Sequence, residues 1–220
     1  THNPFAPPFD FLAKAFLPLL GKMGAEVNGV LERPGFYPAG GGKLRFQIKP
    51  ANKLGALDLT DRGRILRRSA RAIVANLPLT IAERELKVIG RKLTWAKDFL
   101  HAESVANSAG PGNVAIIEIQ AESVTEVFTG FGQHGLAAEA VADQAAKAAR
   151  RYIGAEVAVA EYLADQLLVP MAVGGGGAFT TLPLSRHAST NIEVIGKFLG
   201  EVVKATASER TVLVEVKSAH

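Results

Sequence analysis

A histidine near the carboxyl end of the chain stands where it could do phosphate chemistry. His187 lies in the run PLSRHASTNIEVIGKFL, after four glycines at 174–177 and just before an amphipathic helix predicted from Ser189 to about Phe198. The free N–H groups at a helix start carry partial positive charge, which attracts phosphate oxygens and favours a neutral over a protonated imidazole. The position therefore indicates phosphoryl or nucleotidyl transfer with His187 as nucleophile. A histidine that only caps or packs is the alternative.

A second segment, AEYLADQLLVPMAV at 160–173, has the residue types of a nucleotide site. Its apolar residues recur at helical spacing and predict one buried face. Tyr162, Asp165 and Gln166 then fall on or near another face. They offer a ring for stacking, an acceptor for ribose hydroxyls and an amide for a base or phosphate. An ordinary solvated helix face is the alternative for this trio.

In chain order, these motifs resemble those of the RNA 3′-terminal phosphate cyclases. The resemblance rests on EYLADQLLVPMA, the glycine-rich turn with its phenylalanine strand, and HxxTNI, and also on THNPFAPPFDF, GFYPAGGGKLRFQI, LDLTDRGRI, AERE and GPGN. These segments fall in the family's order and at about its spacing, so the resemblance covers nearly the whole chain. It implies an ATP-dependent ligase that converts an RNA 3′-phosphate end into a 2′,3′-cyclic phosphate.

The resemblance also implies a route for that reaction. His187 would attack the α-phosphorus of ATP and form a histidinyl-AMP intermediate. AMP would pass to the RNA 3′-phosphate, and the neighbouring 2′-hydroxyl would close the ring and release AMP. Magnesium would arrive with ATP, held mainly by phosphates and water. We expect no protein-bound metal, because the sequence has no cysteine and no HxxxH or HExxH spacing.

The family's nucleotide site can be transferred residue by residue. The resemblance implies that Tyr162 stacks on adenine with Pro7 on the opposite side and that Asp165 holds the ribose. Phe11 would add an apolar wall. Without the resemblance, Pro7 would be interpreted as a loop-to-helix junction and Phe11 as a core residue. The nucleotide-binding residues predicted in this way are Pro7, Tyr162, Leu163, Ala164, Asp165 and Gln166.

Part of the family's machinery does not occur in this sequence. In the family, THNPFAPP lies well inside the protein, after a glycine-rich strand and a loop with a metal-associated glutamate, arginines and a glutamine near the phosphates. The sequence starts at Thr1 without methionine and contains none of these. We therefore expect this polypeptide alone to be inactive or nearly so, with the missing N-terminal segment of the same enzyme as a partner.

Composition sets limits on the class of protein. A chain of 220 residues with 48% hydrophobic content can bury a sizeable core, and the absence of cysteine excludes disulfides. No apolar run reaches membrane-spanning length and no signal peptide opens the sequence, so we expect a cytoplasmic protein without membrane contact. The net charge of +4 permits RNA as a partner without requiring it.

The order of predicted elements indicates an α+β protein. The resemblance adds that repeated two-helix, four-stranded-sheet units form a catalytic core, and that a small α+β insert domain interrupts it. We expect residues 1–55 and 135–220 to form the discontinuous core and residues 56–134 to form the insert domain. A non-catalytic cyclase-like protein of RNA processing or ribosome assembly is the alternative function, although that branch lacks the histidine. A third possibility, an enolpyruvyl transferase built from similar repeats, would need contacts to a phosphosugar-like substrate that we do not find in the sequence.

The predicted insert begins with a strongly basic strand, GRILRRSARAIVA. Alternation would send Arg64 and Arg68 to one face and Arg67 and Arg71 to the other, which weakens a single RNA-binding stripe. An edge strand protected by charge is the alternative to a phosphate-binding role. A helix is predicted to follow from Thr80, with a capping box that uses a glutamate three residues later.

Overall fold

The computed structural model describes residues 1–219 as alternating helices and strands. The α-helices are α1 (Phe9–Phe11), α2 (Leu17–Lys22), α3 (Leu79–Leu93), α4 (Ala138–Ala155), α5 (Glu161–Val173) and α6 (Arg186–Leu199). A π-helical turn, Leu12–Phe16, joins α1 to α2, and a 3-10 turn, Lys97–Phe99, follows α3. The strands are β1 (Glu26–Arg33), β2 (Lys43–Lys49), β3 (Leu57–Leu59), β4 (Ile65–Ala75), β5 (Leu100–Val105), β6 (Gly112–Ala121), β7 (Thr125–Phe131), β8 (Gly177–Thr181), β9 (Val203–Ala207) and β10 (Val212–Val216).

The strands of residues 1–219 form three sheets. β1 and β2 make an antiparallel hairpin, as their alternating sequences predicted. The core sheet has the order β3-β8-β10-β9, with β3 parallel to β8 and the other pairs antiparallel. The insert sheet has the order β5-β4-β6-β7, and the crossover helix α3 makes β4 and β5 parallel. The predicted α+β class is confirmed.

The insert sheet is covered on both faces, which explains the long apolar run in β4. Ala72 and Val74 belong to the cluster that α3 and α4 bury. Ile73 and Ala75 point the other way, into the cluster that includes α5 and the helices near the N-terminus. Because side chains alternate along a strand, one sequence supplies both layers.

Helix α4 packs beside α3 on the insert sheet, with a buried stripe composed mainly of alanine. Small side chains allow a close approach to β7, where a Cβ at Gly130 would meet the carbonyl oxygen of Val141 at 2.1 Å. The packed layer therefore extends through Ala155. The division into residues 1–55 and 135–220 against 56–134 stays a prediction, but α4 packs with the insert layer although it follows the predicted boundary.

Arg62, just before β4, binds the end of α4. Its Nη1 donates to the carbonyl oxygen of Tyr152 at 2.7 Å, and its Nη2 donates to that of Ile153 at 2.9 Å. The guanidinium also lies 4.9 Å from the centroid of the Tyr152 ring. Carbonyls at a helix end have no partner within the helix, so this single side chain satisfies two of them.

The predicted capping box at the start of α3 is wrong. The helix begins at Leu79 with Pro78 as its N-cap, and no side chain caps it. Thr80 therefore already lies inside the first turn, where its hydroxyl is past the capping position. The fixed backbone angle of Pro78 allows the helix to begin without a capping side chain.

A buried polar cluster joins the N-terminus of the chain to the insert sheet. His2 Nε2 lies 3.1 Å from Asp10 Oδ2, and Arg71 of β4 donates to the other oxygen of Asp10. Arg71 also contacts Glu103 of β5 at 3.3 Å. Burial would raise the pKa of Asp10, but the His2 hydrogen bond and the Arg71 charge outweigh burial and hold that pKa below its usual range.

We expect Asp10→Asn to destabilise the chain by about 1–3 kcal/mol at neutral pH, because Arg71 loses a buried anionic partner. A lowered folded-state pKa stabilises above the unfolded pKa, and this contribution disappears as pH falls through the folded value. The gap between wild type and variant should therefore shrink toward acid in urea unfolding. Glu122→Gln, which breaks an exposed pair with Arg64, is the control and should change stability little. A gap that does not change with pH would contradict this account.

Candidate active site

Helix α5 has the buried face that its sequence predicted. Leu163, Leu167, Leu168 and Met171 have no measurable exposure and lie in the cluster shared with the core sheet. This packing fixes how the helix is rotated about its axis. The residues between the apolar positions are consequently turned toward the surface.

The predicted nucleotide residues on α5 differ in exposure. Tyr162 is 68% exposed, and Asp165 and Gln166 are half-buried. Gln166 Nε2 donates to Asp165 Oδ2 at 3.3 Å. Leu163 and Ala164 are buried in the core, so any contribution they make to a nucleotide runs through the backbone of the helix that they anchor.

Helix α6 begins earlier than the sequence predicted. Ser185 is the N-cap, and its hydroxyl accepts a hydrogen bond from the N–H of Ala188 at 3.1 Å. His187 therefore lies within the first helical turn rather than ahead of the helix. Its side chain is exposed. His187 nevertheless remains at the positive end of the helix, because the first N–H groups lack partners within the helix.

One side chain fixes α6 against α5. Asn191 Nδ2 donates to both the carbonyl oxygen and Oδ1 of Asp165, each at 3.1 Å. Asn191 is one turn beyond His187, so the two side chains lie roughly 40° apart around α6. Asp165 is likewise three residues beyond Tyr162 on α5. The contact thus joins the early turns of the two helices and turns the His187 face of α6 toward α5.

The two predicted residues near the N-terminus are placed differently. Pro7 is exposed in the loop before α1. Phe11 is 3% exposed and belongs to the core cluster that includes α5 residues. Phe11 is therefore a packing residue here. Pro7 belongs to a segment whose following helical turns pack in the same cluster as α5.

A buried glutamate that sequence reasoning missed holds the start of α5. Glu126 of β7 is 1% exposed, and its Oε1 accepts from the N–H of Ala160, the N-cap of α5, at 2.5 Å. Ala160 offers no side-chain cap of its own. Burial raises the pKa of Glu126 to about 8, although N–H groups of Ala160 and Val127 act in the opposite direction. Glu126 and Ala160 are far apart in the sequence, so no local pattern predicts this contact.

The glycines between α5 and β8 serve close backbone packing. A Cβ at Gly175 would meet the backbone nitrogen of Ala56 at 2.4 Å, and one at Gly177 would meet the carbonyl oxygen of Leu57 at 2.0 Å. Gly177 also has a φ of +125°, which disfavours other residues. The run therefore allows the turn after α5 and the start of β8 to pack tightly against the backbone of residues 56 and 57.

His187 and Tyr162 are both exposed to solvent. Two cavities of about 430 and 720 Å³ occur elsewhere, and neither residue lines them. Within residues 1–219, no group of three or more His, Asp or Glu side chains is placed to hold a metal ion. No helix in the same range is long and apolar enough to cross a membrane.

Comparison with known proteins identifies the family. The family described as RNA 3′-terminal phosphate cyclase matches residues 1–205. A protein named RNA 3′-terminal phosphate cyclase from Koribacter versatilis is 50% identical over 199 residues, which are 90% of this chain and 56% of that protein. The chain belongs to the RNA 3′-terminal phosphate cyclase family.

Two further relatives bear the same name. The protein from Ectopseudomonas mendocina is 48% identical over 218 residues, which are 99% of this chain and 64% of its own length. The protein from Ralstonia nicotianae is 45% identical over 218 residues, again 99% of this chain and 62% of its own length. The chain thus spans between 56% and 64% of these curated relatives.

We expect Glu126→Gln to gain stability relative to wild type as pH rises. A raised folded-state pKa means that the folded protein keeps a proton that the unfolded chain loses, so stability declines from about pH 4.5 to about pH 8. Glutamine cannot ionise and keeps a carbonyl for the Ala160 N–H. Urea unfolding between about pH 5 and about pH 9 should show the difference moving in the variant's favour by roughly 1–4 kcal/mol.

The control for this series is Glu83→Gln, which changes an exposed glutamate on α3. As a substitution of an exposed side chain, it should leave the free energy of unfolding within about 0.5 kcal/mol of wild type throughout the series. If Glu126→Gln also gave a constant difference, Glu126 would not be the ionising group that we describe.

Proposed function

We propose that this chain is the histidine-bearing part of an enzyme that cyclises RNA 3′-phosphate ends, with His187 as the residue that accepts AMP from ATP. The observation that carries the proposal is the Asn191–Asp165 contact, which sets the start of α6 beside the tyrosine-bearing helix. Membership of the cyclase family supports it. The exposure of His187 supports it as well, because a nucleophile must reach its substrate.

In the first step, an unprotonated ring nitrogen of His187 attacks the α-phosphorus of ATP. A nitrogen–phosphorus bond forms, the bond to the β-phosphate bridging oxygen breaks, and pyrophosphate leaves with the electron pair. The unpartnered N–H groups at the start of α6 face the developing negative charge. Magnesium bound to the nucleotide phosphates would neutralise part of the charge on the leaving group.

The adenylate would be held mainly by α5. Tyr162 offers an exposed ring for stacking on adenine, and Pro7 would lie on the other side of the base. Asp165 is oriented by the hydrogen bonds from Asn191 and Gln166. A carboxylate has about four acceptor sites, so capacity remains for a ribose hydroxyl. Gln166 completes this polar group, and Leu163 and Ala164 hold the helix in place.

In the later steps, an oxygen of the RNA 3′-phosphate attacks the phosphorus of the histidinyl adenylate and frees His187. The adjacent 2′-hydroxyl then attacks the activated 3′-phosphorus, and AMP leaves with the electron pair while the hydroxyl proton passes to solvent or a base. Adenylation is required because a phosphate monoester has no good leaving group. Ring closure is intramolecular, so proximity supplies much of its rate.

We further propose that the site is complete only with the part of the family's length that this chain does not span. The exposure of His187 and the relatives' greater length support this. That segment would contact the nucleotide phosphates and cover the site. The polypeptide alone would then be inactive or nearly so, and the complete enzyme would act in the cytoplasm.

The test is covalent labelling with ATP that is radioactive at its α-phosphate. We expect acid-labile, hydroxylamine-sensitive AMP on the chain when the corresponding N-terminal segment of a relative is supplied as a separate polypeptide. His187→Asn should abolish the label. Asp165→Ala should reduce it by about tenfold or more, as expected when one charged hydrogen bond is lost.

The matched control is His134→Asn, an exposed histidine that the proposal does not use. It should label like wild type. Label that persists in His187→Asn would overturn the role of His187. Robust labelling and RNA cyclisation by the chain alone would leave that role intact but contradict the proposed incompleteness.

A further inference from the structure

A pocket at one end of the insert sheet takes no part in the proposed nucleotidyl transfer. It has a volume of about 430 Å³ and lies between the beginning of β4, the chain that follows α3 and the end of α4. We call it the arginine–aromatic pocket. The residues of its lining that matter here are Leu66, Arg67, Arg68, Trp95, Phe99 and Ile153.

Two aromatic rings hold the guanidinium of Arg68 in place. Its central carbon lies 5.1 Å from the centroid of Phe99 and 5.7 Å from that of Trp95. The two rings pack edge to face at 6.5 Å, so the platform beneath the guanidinium is fixed. Cations within about 6 Å of a ring centroid are attracted to it. Arg68 is nevertheless exposed, which leaves a planar cation accessible to a ligand.

The pocket has positive charge that the protein does not neutralise. Arg64 pairs with Glu122 at 2.8 Å, and Arg71 pairs with Asp10 and Glu103. Arg67 and Arg68, by contrast, have no carboxylate partner among residues 1–219. Both are exposed. An anionic ligand would therefore meet two free guanidinium groups beside an apolar floor.

Arg67 and Arg68 are consecutive residues of β4, and both line the pocket. Pairing of β4 with β6 shifts register between Ile65 and Arg67, so a bulge directly precedes the two arginines. Pairing of β4 with β5 begins only at Ala70. The stretch 65–69 therefore has one unpaired edge, and the pocket lies along it, although β4 as a whole lies between β5 and β6 and is not an edge strand.

The pocket is also at the correct end of the insert sheet to meet a substrate of the active site. Pairing places Ile65 of β4, Ala121 of β6 and Thr125 of β7 at the same end of the sheet. The next residue, Glu126, caps α5 there. One strand separates β4 from β7, so the distance across the sheet is about 10 Å.

We propose that the arginine–aromatic pocket binds a nucleotide of single-stranded RNA upstream of the 3′ end. The base would stack on the outer face of the Arg68 guanidinium, and the adjoining phosphate would pair with Arg67. RNA bases commonly stack on arginine planes and aromatic rings, and arginine forks match phosphate oxygens. The inference rests on the proposed function, which supplies RNA as substrate.

The test measures binding of a short fluorescent oligoribonucleotide with a 3′-hydroxyl end, without ATP, so that the result does not depend on adenylation. Stacking of one base is worth about 1–3 kcal/mol, so Arg68→Ala should weaken binding about 5- to 100-fold. Arg68→Lys keeps the charge but loses the plane, and it should recover only a small part of the affinity. Arg67→Ala should lower the salt slope by about 0.7, the value for one phosphate contact on a single strand.

Arg64→Ala is the matched control, because it removes one cation from the same region outside the pocket. It should affect binding much less than Arg68→Ala. Photocross-linking of wild type with an oligonucleotide containing 4-thiouridine should label peptides that include Trp95, Phe99 or Arg68, which keeps the test valid if a variant fails to fold.

Three results would overturn the proposal. The first is a loss of binding that follows charge alone, with equal losses in Arg64→Ala and Arg68→Ala and no loss in Arg68→Lys. That result would indicate a diffuse electrostatic surface. The second is wild-type RNA binding that is undetectable or matched by an acidic peptide of equal charge. The third is cross-linking confined to other segments. Because no step uses His187, failure of AMP labelling would count against the proposed function and not against this pocket.

Discussion

The position of α5 depends on two hydrogen-bonding contacts made by side chains from different parts of the chain. Glu126 caps its start from the insert sheet, and Asn191 binds Asp165 from α6. Neither contact is local in sequence, and Glu126 supplies the cap that Ala160 cannot provide. The exposed face that includes Tyr162 is consequently set by the buried apolar face of α5 together with these two contacts. A shift of the insert sheet or of α6 would therefore also move α5.

Much of the architecture could be predicted from the sequence, because it follows from short-range patterns. Alternation in the runs around the glycine-rich loop gave β1 and β2, and helical spacing gave the buried face of α5. Element ends were less predictable. Ser185 and Ser189 are both acceptable caps by residue type, and only the packing of the following turn selects Ser185. Similarly, Pro78 is the N-cap of α3 and stands two residues before the threonine that resembled a cap.

The part of the candidate site that depends on residue type and motif could be predicted. His187, Tyr162, Asp165 and Gln166 were all identified from their own segments or from the family resemblance. Glu126 was not, because a glutamate in a β-strand gives no local sign that it will be buried against a distant helix. Asn191 is part of the HxxTNI motif, but the motif alone does not indicate its contact with Asp165. The bulge in β4 could not be predicted either, since register depends on the partner strand and not on the strand alone.

The contacts of Arg62 have a consequence for how this architecture could have arisen. Because one guanidinium binds the end of α4 from a point just before β4, the polypeptide leaves the core and returns to it at nearly the same place. Segments whose two ends lie together can be grafted into a host fold without stretching it. The layer from β4 to α4 has this geometry of an inserted module, so the surface that faces away from α5 and the N-terminal helices can diverge among relatives while the host fold is left undisturbed.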